Sequence, residues 1–318
     1  MEWKNVVVAG GGVLGSQIAY QTAFKGFKVT IWLRSEGSIE RAKPKMERLH
    51  SIYLQDLEAC EAMIGKEGAK FPRGLIADPE NLTAEKVDEL KAEADRAFNE
   101  IRYSTDMAEA CEDADLIIES VAEKLEQKVE FFEKLAPHVP EKTVIVTNSS
   151  TLLPSSFAEA TGRPNKFLAL HFANNIWRNN VAEVMGHAGT EQAYFDQVVT
   201  FAKQIGMIPL KVLKEQPGYL LNSLLVPFLS AAEALLVNGV SDPATIDLAW
   251  VYGTGAPYGP FRILDVVGLE TAYNIVMNHP AAQNDPESVQ ARIAKMLKEY
   301  IDAGKTGINA GEGFYKYK

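Results

Sequence analysis

Cysteine is nearly absent from this chain: two in 318 residues, Cys60 and Cys111, with no Cys-x-x-Cys pair. That argues against a disulfide framework or a structural zinc site, fits a reducing compartment, and leaves no metal expected. Excess positive charge is also lacking. The formal net charge is −10, which excludes general binding to nucleic acid or to an anionic membrane. A local nest of backbone N–H groups can still hold an anionic cofactor on an acidic protein. Long hydrophobic runs are missing too. The longest uncharged stretch, residues 216 to 232, contains Pro217, Asn222, Ser223, Pro227 and Ser230 and is too short and polar to span a bilayer. It reads as a buried helix. The chain runs from Met1 to Lys4 straight into a first strand, without the pattern of a signal peptide, so a cytoplasmic location is expected.

What is present begins at the N-terminus. The run Val6-Val7-Val8-Ala9-Gly10-Gly11-Gly12-Val13-Leu14-Gly15 is a β-branched strand, a Gly-x-Gly-x-x-Gly turn and the start of a helix. The first glycine makes the turn, the second admits a pyrophosphate to the backbone, and the third lets helix and strand pack closely. The helix N-terminus offers N–H groups and a positive dipole end to phosphates. Gly10, Gly12, Val13, Leu14 and Gly15 are therefore candidate dinucleotide-binding residues.

The pattern continues with strands over 28–33, 101–103, 116–120, 143–147, 167–171, 181–185 and 208–212 and helices over 16–25, 124–136 and 191–205. A long charged region from 38 to about 99 reads as two helical stretches inserted into this series. From 217 onward the pattern is helical: 219–238, 242–252, 269–278 and 288–303. The expected architecture is α/β: a Rossmann-type doubly wound, mostly parallel sheet over 1–214 with a helical insertion, then an all-α C-terminal domain over 217–318. The C-terminal domain is the expected site of substrate contacts and of a homodimer contact.

At the end of the second strand an acidic residue ordinarily binds the adenosine ribose, whereas arginine accommodates a 2′-phosphate. Here the strand ends Leu33-Arg34-Ser35. Arg34 and Ser35 therefore favour NADP over NAD, since guanidinium pairs bidentately with phosphate. Were Arg34 only a surface residue, Glu36 or Glu40 could reach the ribose and the cofactor would be NAD.

Of five histidines, His171 closes the apolar run Phe167-Leu168-Ala169-Leu170, at the sheet edge where such folds place ligands. Twelve residues on, Glu183 interrupts Val181-Ala182-Glu183-Val184-Met185. A carboxylate in an apolar strand needs a partner. Paired with one imidazole nitrogen it fixes the tautomer and supports the imidazolium, leaving the other nitrogen to move a proton. Taken singly, these residues could also be a satisfied histidine and an edge glutamate.

With these features on the page, the chain resembles the 3-hydroxyacyl-CoA dehydrogenase family, 3-hydroxybutyryl-CoA enzymes included, nearly end to end. The resemblance rests on the glycine turn, Glu119-Ser120-Val121-Ala122-Glu123, Asn148-Ser149-Ser150-Thr151 and His171-Phe172-Ala173-Asn174. It continues through Pro217-Gly218-Tyr219-Leu220-Leu221-Asn222, Tyr258-Gly259-Pro260-Phe261 with Asp265, and Gly311-Glu312-Gly313-Phe314-Tyr315. It implies an NAD(P)-dependent oxidoreductase of fatty acid metabolism acting on a short-chain acyl-CoA. It further implies that His171 is the general base for alcohol oxidation and the acid for ketone reduction, with Glu183 orienting it. Ser150 and Asn222 would hydrogen-bond the substrate's 3-oxygen and thioester region, and Asn174 would brace the site. Glu123 and Lys128 would lie along the nicotinamide ribose, with Asn148 also on the cofactor side. Without the resemblance, Ser150 reads as a turn or helix cap, Asn222 as a core amide and Lys128 as a solvated helix residue.

Two departures point to another substrate. The family usually has proline after the asparagine of His-x-x-Asn, whereas here it is Asn175, followed by a polar loop with Arg178. The helix bearing Lys43, Lys45 and Arg48, where the family meets CoA phosphates, turns acidic at Asp56, Glu58 and Glu61. The alternative is a free 3-hydroxy acid, as for gulonate or carnitine dehydrogenases, with Arg178 holding its carboxylate. A 6-phosphogluconate-type lysine is absent, since Leu225 stands in its place in Gly218-x-x-x-Asn222-x-x-Leu225. A non-catalytic dinucleotide-binding protein would have no packing reason to keep Ser150, His171, Glu183 and Asn222 together.

Overall fold

The computed structural model describes residues 3 to 317. The chain divides into two compact units, one ending at Leu220 and the other beginning at Leu221. In the first, the elements run β1 (Asn5–Ala9), α1 (Val13–Phe24), β2 (Lys28–Trp32), α2 (Glu36–Glu61), α3 (Ala84–Glu100), β3 (Arg102–Ser104), α4 (Met107–Cys111), β4 (Leu116–Glu119), α5 (Leu125–Leu135), β5 (Val144–Thr147), β6 (Phe167–Phe172), β7 (Val181–Met185), α6 (Gln192–Gln204) and β8 (Ile208–Val212). The strands form one sheet in the order β3-β2-β1-β4-β5-β6-β7-β8. All neighbours are parallel except β6 and β7. The central strands are buried on both faces, as a parallel sheet covered by helices requires. The strand order reverses between β1 and β4, which opens a crevice at the carboxyl edge.

The inserted helices α2 and α3 pack on α1, and this explains why α1 is buried over ten of its twelve residues. Two of its buried polar side chains find partners on these helices. Tyr20 donates to the carbonyl of Ala94 on α3 at 2.9 Å, and Gln21 accepts from Tyr53 of α2 at 2.6 Å. The Tyr20 and Tyr53 rings meet edge to face at 4.6 Å.

The second unit holds α7 (Leu221–Val237), α8 (Pro243–Thr254), α9 (Pro260–Val267), α10 (Leu269–Met277), α11 (Pro280–Asn284) and α12 (Val289–Asp302). Its core gathers Leu229, Phe261, Leu264, Leu269, Val276, Ile293 and Leu297. Asp265 accepts from the backbone N–H groups of Phe314 and Tyr315 and from the Tyr317 hydroxyl, tying the tail to α9. A side chain at Gly313 would run into the Asp265 carboxylate, which accounts for glycine in that tail. Glu233 on α7 is 2% exposed, and its Oε1 has no hydrogen-bond partner among the described residues. Burial pushes its carboxyl up to about 8.

The helix expected over 16–25 starts earlier, at Val13, because Gly12 is its N-cap. Short helices α4, α9 and α11 were not anticipated. They are five to eight residues long, too short to show a period, and two of them open on proline, which suits the first helical turn. The units part slightly later than position 217, because Tyr219 is held in the first unit by the site described next. No helix among the described residues is long and apolar enough to cross a membrane.

Candidate active site

The glycine turn links β1 to α1. Gly10 has φ of +125°, and a Cβ there would lie 2.4 Å from the Ser120 carbonyl oxygen. A Cβ at Gly15 would lie 2.3 Å from the oxygen of Gly10. These two glycines are required by the close approach of β1, α1 and the end of β4. Gly12 is different: a Cβ there would meet nothing within 4 Å. The backbone at the N-terminus of α1 is thus open on the side where a pyrophosphate would lie, so the residues fit a dinucleotide. Val13 is exposed, whereas Leu14 packs against the core.

At the adenosine end, Leu33 is buried in the core, so the position expected to carry an acid is a packing position. Arg34 and Ser35 are exposed, and the Ser35 and Ser38 hydroxyls lie 3.0 Å apart. Glu36 accepts from Thr105 at 3.3 Å.

The antiparallel pairing of β6 with β7 places His171 directly opposite Glu183. His171 Nδ1 lies 2.9 Å from Glu183 Oε2, and both residues are buried. The second carboxylate oxygen accepts from the Leu220 N–H at 2.8 Å. Nε2 faces the Ser150 hydroxyl at 3.2 Å. The carboxylate accepts a hydrogen bond from Nδ1–H and so fixes that tautomer, which leaves Nε2 as the nitrogen able to exchange a proton. Ser150 is not the turn cap. Neighbouring Ser149 fills that place, accepting from the Leu152 N–H at 3.1 Å.

Glu123 and Lys128 hold positions that the sequence did not suggest. Lys128 is 1% exposed, so it is not a solvated helix residue. Its ammonium lies 2.6 Å from Glu119 and 3.4 Å from Glu123. One oxygen of Glu123 accepts from the Ser149 and Thr151 hydroxyls and from the Ser150 and Thr151 N–H groups, at 2.6 to 2.9 Å. Burial opposes ionisation of Glu123, but these bonds and the Lys128 charge hold its carboxyl below the ordinary range. Asn148 accepts from the Phe172 N–H at 3.2 Å and approaches Ser120 at 3.4 Å, bridging the ends of β4, β5 and β6.

The loop from 173 to 180 also departs from expectation. Asn174 contributes its carbonyl, which accepts from Asn179, while the residue itself is exposed. Asn175 has φ of +59° and donates its N–H to Gln17 at 2.7 Å. Proline could do neither, since its φ is fixed near −65° and it has no N–H. Arg178, expected as a carboxylate anchor, pairs its guanidinium with Asp56 of α2 at 2.6 and 2.9 Å. The same Asp56 accepts from the buried Trp177 indole at 2.8 Å. Asn222 lies in the second unit, in the first turn of α7.

Sequence reasoning missed Tyr219. Its ring stacks on His171 at 4.5 Å, its hydroxyl donates to the Ser149 carbonyl at 2.7 Å, and its φ is +54°. A tyrosine held in the left-handed region is uncommon, and strain of this kind gathers at functional sites. The only hint in the sequence was the Pro217-Gly218 turn before it.

Residues 5–216 match the 3-hydroxyacyl-CoA dehydrogenase NAD binding domain, and residues 218–317 match the C-terminal domain of the same family. The chain is 33% identical to human mitochondrial hydroxyacyl-coenzyme A dehydrogenase, over 99% of this chain and 91% of that protein. It is 30% identical to a probable 3-hydroxybutyryl-CoA dehydrogenase of Bacillus subtilis, over 100% and 99% respectively. Among solved structures, a diketoreductase described as acting on dicarbonyl compounds matches with a TM-score of 0.84 and 47% identity, covering all of both chains.

Proposed function

Because the chain belongs to the 3-hydroxyacyl-CoA dehydrogenase family, we propose that it interconverts the C3 hydroxyl and C3 ketone of a short-chain 3-hydroxyacyl-CoA, with His171 and Glu183 as the proton shuttle. The observation that carries the reading is the line Glu183–His171–Ser150, with contacts of 2.9 and 3.2 Å. A nicotinamide dinucleotide at the glycine turn supplies the hydride acceptor or donor. In alcohol oxidation His171 Nε2 takes the hydroxyl proton, and in ketone reduction it returns one. Glu183 faces the imidazolium that forms and keeps Nδ1 protonated. The Ser150 hydroxyl steadies the substrate oxygen as its charge changes. Leu33, Arg34 and Ser35 support NADP(H), since an arginine and no acid stands beside the ribose position.

A second reading, reduction of a 3-oxo compound that carries no CoA, is favoured by the 173–180 loop. Its left-handed Asn175 and its tie to Asp56 build a wall that a proline could not build. The diketoreductase likeness fits this reading.

The test follows reduced nicotinamide absorbance with acetoacetyl-CoA, free acetoacetate and a neutral diketone, each with NADH and NADPH. Consumption with the thioester alone supports the first reading, and consumption with the neutral diketone alone supports the second. Faster turnover with NADH would refute the role given to Arg34. In either case His171→Gln should lower turnover by roughly 10²–10⁴-fold while cofactor binding persists. Near-normal turnover in that variant would sink the shuttle.

A further inference from the structure

The first turns of the inserted helix α2 lie against the cofactor end of the sheet. A Cβ on Gly11, in the glycine turn, would come within 2.9 Å of Ala42 and 3.0 Å of the Leu33 side chain. Lys45 donates to the Gly11 carbonyl at 2.8 Å. Ser38, Arg41, Ala42 and Lys45 recur at helical spacing and share that face of α2. It is the face next to the end of β2, where the adenosine ribose of a bound dinucleotide lies. Ser35 stands at the N-cap of α2, a place where serine ordinarily accepts from the first N–H groups of its own helix. Here it makes no such bond, and its hydroxyl lies 3.0 Å from that of Ser38. Arg41 donates to the Ser38 hydroxyl at 2.9 Å. Among the described residues no carboxylate pairs with Arg34 or Arg41. The nearby acids have other partners: Glu40 pairs with Lys43 at 3.1 Å, and Glu36 accepts from Thr105.

We propose that Ser38 and Arg41 complete, with Arg34 and Ser35, a binding site for the 2′-phosphate of NADP(H). This deepens, and rests on, the reading that Arg34 turns cofactor choice toward NADP(H). A phosphate dianion brings oxygens that accept hydrogen bonds. The cluster offers two guanidinium groups, each able to give paired N–H bonds to phosphate, and two hydroxyls that can turn their protons toward it. An unphosphorylated ribose is ordinarily met at this place by an acidic acceptor, and the cluster contains none. The contacts from Arg41 to Ser38 and from Ser38 to Ser35 already set guanidinium and hydroxyls side by side. Less ordering therefore opposes binding than if each side chain had to be gathered separately.

The test uses the full chain and needs no turnover. Dissociation constants for NADPH and NADH are read from nicotinamide fluorescence in the wild type, Arg34→Ala, Arg41→Gln and Ser38→Ala. Competition against NADPH by adenosine 2′,5′-bisphosphate and by 5′-AMP separates the 2′-phosphate from the rest of the cofactor. Arg41→Gln should weaken NADPH binding about tenfold or more and NADH binding by no more than about twofold. The bisphosphate should lose affinity by a similar factor, and 5′-AMP should not. Ser38→Ala should weaken NADPH binding about threefold and again spare NADH. Because Arg34 and Arg41 are exposed, the preference for NADPH should shrink as ionic strength rises. Equal weakening of both cofactors in Arg41→Gln, or no weakening of either, would overturn the cluster. Where Arg34→Ala is selective for NADPH and Arg41→Gln is not, the cluster fails while the NADP(H) reading stands. Where the wild type binds NADH the more tightly, that reading fails and the cluster falls with it.

Discussion

Replacing Glu233 with glutamine should stabilise the protein increasingly as pH rises. Glu233 is 2% exposed, one carboxylate oxygen lacks a partner among the described residues, and burial pushes its carboxyl up to about 8. In the unfolded chain the same group ionises near its ordinary value of 4.5. Below that value both states carry the proton, and the residue contributes no pH dependence. Between the two values the unfolded state ionises while the folded state stays neutral. Stability then falls by about 1.4 kcal/mol per pH unit. It levels off once pH passes the folded value. A gap of about 3.5 units gives a total near 5 kcal/mol, comparable with the whole stability of an ordinary domain. Glutamine has nearly the same shape and no charge to lose. Urea denaturation of both proteins from pH 5 to 8.5, followed by circular dichroism, measures the difference. The advantage of the variant should be smallest at the acid end and widen until pH approaches about 8. A constant difference across that range would show that Glu233 is ionised in the folded state and would refute the reasoning.

Two further outcomes follow from geometry. Gly12→Ala should fold normally, since its Cβ meets nothing within 4 Å, yet should weaken NAD(P)H binding about tenfold or more in a fluorescence titration. Gly10→Ala, at φ of +125° and 2.4 Å from the Ser120 carbonyl oxygen, should not fold, and unchanged affinity in Gly12→Ala would show that the pyrophosphate lies elsewhere. Asp56→Ala should cost about 1–3 kcal/mol by stranding the buried Trp177 indole N–H, with little more from half-exposed Arg178. Measured kinetics should show a larger change in KM than in kcat, and the reverse would mean that the 173–180 loop does not border the substrate.

The glycine turn, the strand–helix alternation and the two-unit division are legible in the sequence because each is a local pattern. The His171–Glu183 pair is legible for a different reason: a glutamate within an apolar strand demands a partner, and a histidine ended the strand before it. What stayed hidden depends on contacts between distant segments. Nothing in the order of residues says that Asp56 and Arg178 meet across 122 positions. Lys128, with Glu126 and Glu130 close by, reads as a surface lysine, and only the fold reveals its burial against Glu119. Tyr219 reads as an ordinary apolar residue after a Pro-Gly turn. Its left-handed backbone and its stack on His171 arise from the way the end of the first unit folds back under the sheet edge.

The antiparallel pairing of β6 and β7 has a consequence for how such an enzyme diversifies. His171 faces Glu183 because ladder hydrogen bonds fix the register of the two strands, not because of the residues that join them. The joining segment can lengthen, shorten or change its charge without separating the pair. On the proposed reading, the His171–Glu183 pair and the loop that joins its strands can therefore vary as separate modules. A lineage can exchange one connecting loop and acquire a new substrate while its chemistry is left intact.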